Sequence, residues 1–262
     1  MAELAMYIDV TRCTGCRGCQ VACKQWNELP AAKTVFSGSY ENPPRIGGDT
    51  WTKVRFFEKE DAGKVRFLFR KEQCMHCSEP SCAAVCAAGA IKKTDNGMVL
   101  FNDDRCVGCK NCVVACPFHV IGFSKETGSS RKCRLCYERI ENDMEPACVK
   151  ACPTGAVSFG DRRQMLAQAK QRVSVLYNKG VNAQVYGENE LGGLHVIYVL
   201  DDEPEVYGLP ANPEVATAGL FSNWLHALLG VGVVALAPFW LIFRERGKAT
   251  DNSAGTGVDG NA

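Results

Sequence analysis

Cys106-Val-Gly-Cys109-Lys-Asn-Cys112-Val-Val-Ala-Cys116-Pro117 sets four cysteines at the spacing C-x2-C-x2-C-x3-C with a proline behind them. Three cysteines this close can lie on one short loop, their sulfurs converging on one face of a cubane. Three more residues carry the fourth about one helical turn along, facing away. This is the ligand spacing of [4Fe–4S] centres, in which the fourth cysteine of a run serves a second cluster. The same run stands at Cys13, Cys16, Cys19 and Cys23. Two longer groups, Cys74, Cys77, Cys82, Cys86 and Cys133, Cys136, Cys148, Cys152, complete a set of sixteen with none left over. At four thiolates per cluster, the set predicts four [4Fe–4S] clusters and names all sixteen cysteines as iron ligands. Gly15, Gly18 and Gly108 keep the tight loops free of bulk.

Structural zinc and disulfides are the competing uses of cysteine. Zinc joins two C-x2-C knuckles, or a knuckle and a His pair, around one ion, and leaves a third closely spaced cysteine without a role. Disulfide frameworks suit short secreted chains that cannot bury a core, and 262 residues can bury one.

The chain is internally duplicated. Cys13-Thr-Gly-Cys-Arg-Gly-Cys-Gln-Val-Ala-Cys23 matches Cys106–Cys116, and Glu79-Pro-Ser-Cys-Ala-Ala-Val-Cys-Ala-Ala-Gly-Ala90 matches Glu145-Pro-Ala-Cys-Val-Lys-Ala-Cys-Pro-Thr-Gly-Ala156. A two-cluster unit of the bacterial ferredoxin type combines one compact and one longer motif. Two pairings satisfy that rule: first with second and third with fourth, or second with third and first with fourth. Ile91 to Phe101 reads as strand, Asp-Asn-Gly turn, strand, a hairpin-length connector that joins the second group to the third and favours the nested arrangement. Nested pairing assigns cluster 1 to Cys13, Cys16, Cys19 and Cys152, and cluster 2 to Cys23, Cys133, Cys136 and Cys148. Cluster 3 falls to Cys74, Cys77, Cys82 and Cys116, and cluster 4 to Cys86, Cys106, Cys109 and Cys112. The predicted fold class is α+β: two ferredoxin-like two-cluster units related by duplication, plus one C-terminal transmembrane helix.

The formal charge of +1 omits the clusters, which at about −2 each with their thiolates add roughly −8. Arg12, Arg17, Lys24, Arg105, Lys110, Lys132, Arg134 and Lys150 flank the ligands and fit partial compensation, although for any single one a solvated face is the plainer reading. A near-neutral chain gives nucleic-acid binding no support.

The domain plan assigns 1–160 to the double ferredoxin-like unit, interrupted over 29–70 by a Pro/Gly/Asn-rich loop and a hairpin beginning at Trp51. Residues 161–215 form a helix-and-strand extension: a helix over Asp161–Gly180, capped by Asp161 and striped with Met165, Leu166, Ala169, Val173 and Leu176, then a short strand over His195–Leu200. Residues 216–246 hold the transmembrane helix, and 247–262, rich in Gly, Asn, Ser and Asp, a disordered tail.

Leu220 to Phe243 carries no formal charge. As a helix it would reach about 36 Å, enough for a bilayer core of ~30 Å. Trp224 and Trp240 stand near its ends, and Arg244, Arg246 and Lys248 follow it. The positive-inside rule then places the C-terminus in the cytoplasm and the cluster domain in the periplasm, as a single-pass protein of the bacterial inner membrane in contact with lipid. No signal peptide or twin arginine precedes Cys13, so export together with a signal-bearing partner is expected. His76, His119 and His195 read as hydrogen-bonding residues, since every cluster already has four cysteines. His226 lies one turn into the apolar helix. No nucleophile–base set, phosphate loop or candidate catalytic residue is present.

The chain resembles the iron–sulfur beta subunits of membrane-bound respiratory formate dehydrogenase. The likeness rests on Cys74-Met-His-Cys77, on Glu145–Ala156, on Leu191-Gly-Gly-Leu-His-Val-Ile-Tyr-Val-Leu200 and on Tyr207-Gly-Leu-Pro210. Cys86-Ala87 departs from the Cys-Pro usual in such motifs. The resemblance implies an electron-transfer subunit with no catalysis of its own. It would sit between a molybdopterin catalytic alpha subunit that oxidises formate and a haem b membrane gamma subunit that reduces quinone. It also supports the nested pairing. Nitrate reductase relatives replace one cysteine, whereas all sixteen stand here. The same relay serving another molybdopterin oxidoreductase or a hydrogenase complex is the alternative.

Overall fold

Alternating apolar residues at the amino end start the first strand, β1 (Leu4–Asp9), which is buried on both faces. A loop leads to α1 (Gly18–Trp26), and the long β2 (Lys53–Asp61) and β3 (Lys64–Glu72) pair antiparallel. Short elements follow: α2 (Ser81–Ala84), β4 (Ile91–Lys93), β5 (Val99–Phe101), α3 (Asn111–Ala115), β6 (Gly122–Ser124), β7 (Ser129–Arg131), α4 (Tyr137–Ile140) and α5 (Ala147–Lys150). The chain then forms β8 (Val157–Asp161), α6 (Arg162–Tyr177), β9 (Gln184–Tyr186) and β10 (Val196–Leu200). The computed structural model describes residues 2–61, 63–219, 224, 226–228, 231 and 236–238. Two compact units result, Met1–Ala216 and Thr217–Ala262.

A four-stranded sheet of order β8-β1-β10-β9 organises the first unit, with β1 parallel to β10 and the outer pairs antiparallel. Met6 and Ile8 of β1 face the cysteine-bearing core, and Ala5 and Tyr7 face α6. Asp161 caps α6 by accepting hydrogen bonds from the Arg163 and Gln164 amides. Met165, Ala169 and Leu176 bury the inner stripe of that helix against Ile197 and Val199.

The duplication is visible in backbone detail. In one half β4 pairs with β5; in the other β8 pairs with β1, although 147 residues of sequence lie between Asp9 and Val157. Asn102 donates its amide to the Ala90 carbonyl at 2.8 Å, and Asp9 does the same to Ala156 at 2.8 Å. Each half then turns identically into a compact motif: the Cys106 amide donates to Asp103 and the Cys13 amide to Val10, both at 3.1 Å.

The inserted loop is pinned to the β6–β7 hairpin by backbone contact. A Cβ on Gly122 would stand 2.0 Å from the Gly47 carbonyl carbon, which neither strand nor loop can clear by a side-chain rotation. Gly122→Ala is therefore expected to cost about 3 kcal/mol, the upper part of the range for overpacking. A thermal unfolding midpoint unchanged from the parent would show that the loop yields freely.

The transmembrane expectation over 220–243 is corrected here. Among the described residues no helix is long and apolar enough to cross a membrane. Crossing takes about 20 consecutive helical residues. Gly230, Gly232 and Pro238, all poor helix formers, interrupt the apolar stretch. The sidedness drawn from Arg244, Arg246 and Lys248 thus has no described span to rest on. The remainder of that stretch and the tail 247–262 lie outside the described residues.

Candidate metal centres

Each compact motif is a loop feeding a helix. Gly15 and Gly108 have φ of 68° and 71°, and Arg17 and Lys110, at the N-caps of α1 and α3, have φ of 63° and 62°. The repeated left-handed turns curl the two loops in the same way. The longer motifs supply the short helices α2 and α5, which pack on α3 and α1 respectively.

Three cavities open between these elements, each walled by four cysteines. One is lined by Cys74, Cys77, Cys82 and Cys116. Another is lined by Cys86, Cys106, Cys109 and Cys112. A third is lined by Cys23, Cys133, Cys136 and Cys148. Each joins three cysteines of one motif to the remaining one of another. The last four cysteines meet where α1 packs on α5: a Cβ on Gly18 would lie 3.2 Å from the Ala151 carbonyl and 3.7 Å from Cys16 Sγ, and Cys13 lies in the field of Cys152 and Cys16.

The sixteen thiols are free. Ligands of one zinc ion stand about 3.8 Å apart, the edge of a tetrahedron with Zn–S near 2.3 Å. Among the described residues no three metal-ligating side chains close on a single ion in that way; the sulfurs surround a volume instead. Donors point at the sulfurs from outside: the Gly108 amide to Cys106 Sγ and the Leu135 amide to Cys133 Sγ, both at 3.4 Å, and Asn27 Nδ2 to Cys23 Sγ at 3.7 Å. Such bonds orient metal ligands and tune their electronics. Polar atoms also face the cavities without a partner among the described residues. Ser130 Oγ lines the cavity of Cys112, and Lys71 Nζ, Gln73 Oε1 and Arg134 Nε belong to residues lining that of Cys133. A polyatomic sulfur-containing group suits this donor set.

Burial pushes most of the thiols up, Cys19, Cys82 and Cys133 to about 12 and Cys136 to about 11. Cys152 goes the other way: burial raises it, but the Thr154 hydroxyl and the Val157, Ala156 and Thr154 amides outweigh burial. The fields also join neighbouring quartets. Cys19 senses Cys148, Cys133 senses Cys74, and Cys82 senses Cys112. Cys16 and Cys109, equivalent by the duplication, are the two exposed members of the set.

Most of the flanking cations singled out in the sequence are engaged elsewhere. Lys24 donates to the Asp49 carbonyl at 2.7 Å, Arg17 stacks over Phe56 and Lys110 over Phe123. The buried Lys132 donates to the Cys133 carbonyl at 3.2 Å. A fully buried cation, Lys71, lines the cavity of Cys133; it stands three residues before Cys74, directly after the hairpin that the sequence marks as scaffold. Strand alternation, which sets Lys71 on the opposite face of β3 from Arg70 and Glu72, is the signal available in the sequence. His76 is fully buried, with Nδ1 accepting from the Val99 amide at 3.0 Å, and burial together with Lys132 keeps it neutral. His195 binds the Leu4 carbonyl at 2.8 Å.

The family model for a 4Fe-4S dicluster domain matches residues 65–162. The chain is 44% identical over 240 residues to the nitrate-inducible formate dehydrogenase iron-sulfur subunit of Escherichia coli (strain K12), covering 89% of this chain and 82% of that one. It is 42% identical to the formate dehydrogenase iron-sulfur subunit of Haemophilus influenzae, covering 89% and 76%. Against formate dehydrogenase 2 subunit beta (cytochrome c-553) of Nitratidesulfovibrio vulgaris it is 38% identical, covering 78% and 95%.

Proposed function

The chain belongs to the iron–sulfur subunits of formate dehydrogenase, electron-transfer rather than catalytic components that carry [4Fe–4S] clusters, and from that premise we propose that it relays electrons from a molybdenum- or tungsten-pterin subunit oxidising formate to a haem b subunit that reduces quinone. The observation that carries this reading is the set of cysteine-walled cavities, each built from two motifs. We assign cluster 1 to Cys13, Cys16, Cys19 and Cys152, cluster 2 to Cys23, Cys133, Cys136 and Cys148, cluster 3 to Cys74, Cys77, Cys82 and Cys116, and cluster 4 to Cys86, Cys106, Cys109 and Cys112. A bound [4Fe–4S] cluster takes up and gives back one electron with little rearrangement.

The chain's own part is to hold, insulate and space these groups. The electrostatic influence of Cys148 on Cys19, of Cys74 on Cys133 and of Cys112 on Cys82 supports a linear order, 1–2–3–4. Exposure of Cys16 and Cys109 supports electrons entering and leaving at the two ends, where partner subunits dock. Residues 1–160 then form the conducting domain and 161–215 a buttress on its sheet. Docking on the haem-bearing subunit would bring the cluster unit to the inner membrane.

Anaerobic purification of the native complex tests the assignment. About sixteen iron and sixteen acid-labile sulfide per chain are expected, together with formate-dependent quinone reduction. Material with four metals per chain, or a complex inert towards formate, would sink it.

A further inference from the structure

Lys71 is 2% exposed, and its ammonium has no hydrogen-bond partner among the described residues. A charge stripped of water without a counterpart is among the costliest features a core can hold. The neighbouring acid is already committed: Arg70 pairs with Glu72 at 3.0 Å on the opposite face of β3, and Arg55 adds a second contact at 3.2 Å. Lys53 and Lys132, equally buried, are provided for by the Glu41 carboxylate and by the Val99 and Cys133 carbonyls. Lys71 instead lines the cavity walled by Cys23, Cys133, Cys136 and Cys148. Cys148, Cys19 and Cys133 stand around its ammonium. Cys19 belongs to the first quartet, and Cys133 and Cys148 to the second. Both quartets therefore share one cation.

The duplication supplies an internal control. Counting three residues back from the first cysteine of each longer motif gives Lys71 before Cys74 and Ser130 before Cys133. Ser130 likewise lines a quartet cavity, that of Cys86, Cys106, Cys109 and Cys112, with its hydroxyl unpartnered among the described residues. One position thus carries a charge in one half and a neutral hydroxyl in the other.

We propose that Lys71 is a fixed cation donated to sulfur between clusters 1 and 2, holding the reduction potentials of that pair above the values their burial would otherwise set. The proposal rests on the cluster assignment above. Reduction adds negative charge, which a nearby ammonium favours, and net charge and hydrogen bonds to sulfur are established controls of potential.

The test is potentiometric titration of the anaerobic complex followed by electron paramagnetic resonance. Wild-type protein must first show its sixteen irons, so failure of the assignment is seen before any variant is compared. In Lys71→Met the reduction equilibria of two clusters should shift at least tenfold towards the oxidised form, about 59 mV for a one-electron couple. The other two should stay, and Lys71→Arg should hold all four. If Lys71→Met does not keep its iron, Lys71→Gln takes its place and the same two couples must fall. Loss of iron from clusters 1 and 2 alone in both neutral variants, with full retention in Lys71→Arg, also supports the shared cation. Unmoved potentials in a loaded neutral variant, an equal shift of all four, or iron loss from every quartet overturns it.

Discussion

Cys152→Ala is expected to remove the cluster held with Cys13, Cys16 and Cys19 while the cluster of Cys133, Cys136 and Cys148 survives. The reason is geometric. Cys152 lies only four residues beyond Cys148, yet the turn after α5 sends it towards α1, where it shares a field with Cys13. Cys148 instead walls the cavity with Cys23, Cys133 and Cys136. Iron should drop from sixteen to about twelve per chain. Because cluster 1 is an end of the proposed series, formate-dependent quinone reduction should be lost. Formate oxidation with an artificial acceptor should remain wherever the acceptor draws directly on the catalytic subunit. Iron analysis with resonance spectra of each cluster checks the first point, and paired assays the second. Loss of the Cys133 cluster instead would reverse the pairing, and quinone reduction at the parental rate would end the relay reading.

The second large effect is acid lability. Ligand cysteines are bound as thiolates, whereas a free thiol is mostly protonated at neutral pH, and burial raises those of Cys19, Cys82 and Cys133 to about 12 in the iron-free chain. Loss of a cluster therefore takes up about four protons, and falling pH favours the iron-free state. At about 1.4 kcal/mol per proton per pH unit, each quartet weakens by about 5–6 kcal/mol per unit, before counting protons taken by released sulfide. The sign is fixed: the loaded state gains as pH rises and loses as pH falls. Visible absorption followed anaerobically across pH 5–8 should show a steep, cooperative bleach on the acid side. A chelator should act faster there than at neutral pH. A bleach that steepens towards alkaline pH would contradict thiolate ligation.

How much the amino-acid order disclosed depended on how local each feature is. The cysteine motifs were readable because each compact group places four ligands within eleven residues and that spacing follows from cubane geometry. The hairpin Ile91–Phe101 and the capped helix after Asp161 were readable for the same reason. The junction of β8 with β1 was not, since nothing in Val157–Asp161 names Leu4–Asp9 as its neighbour. Nor was the parallel pairing of β1 with β10, which is fixed only when Met6 and Val196 meet in the sheet. Lys71 was missed because a lysine in an exposed-looking hairpin reads as solvated until the strand is seen to dip into the core. The apolar run 220–243 misled in the opposite direction. Hydropathy measures the wish to leave water, and it is silent on whether the residues form one long helix.

The strand made by the returning end of the chain governs the order in which this protein can be completed. On a ribosome, everything needed for the inner half, from Cys74 to Arg131, emerges contiguously and can close on itself. The outer half has its first ligands at Cys13 but cannot seat them until β8, nearly 150 residues later, has been synthesised and laid beside β1. Cofactor insertion is thereby divided into an early and a late stage. Under the proposed assignment, the late stage would leave Cys13, Cys16, Cys19 and Cys23 without their cluster partners for most of translation.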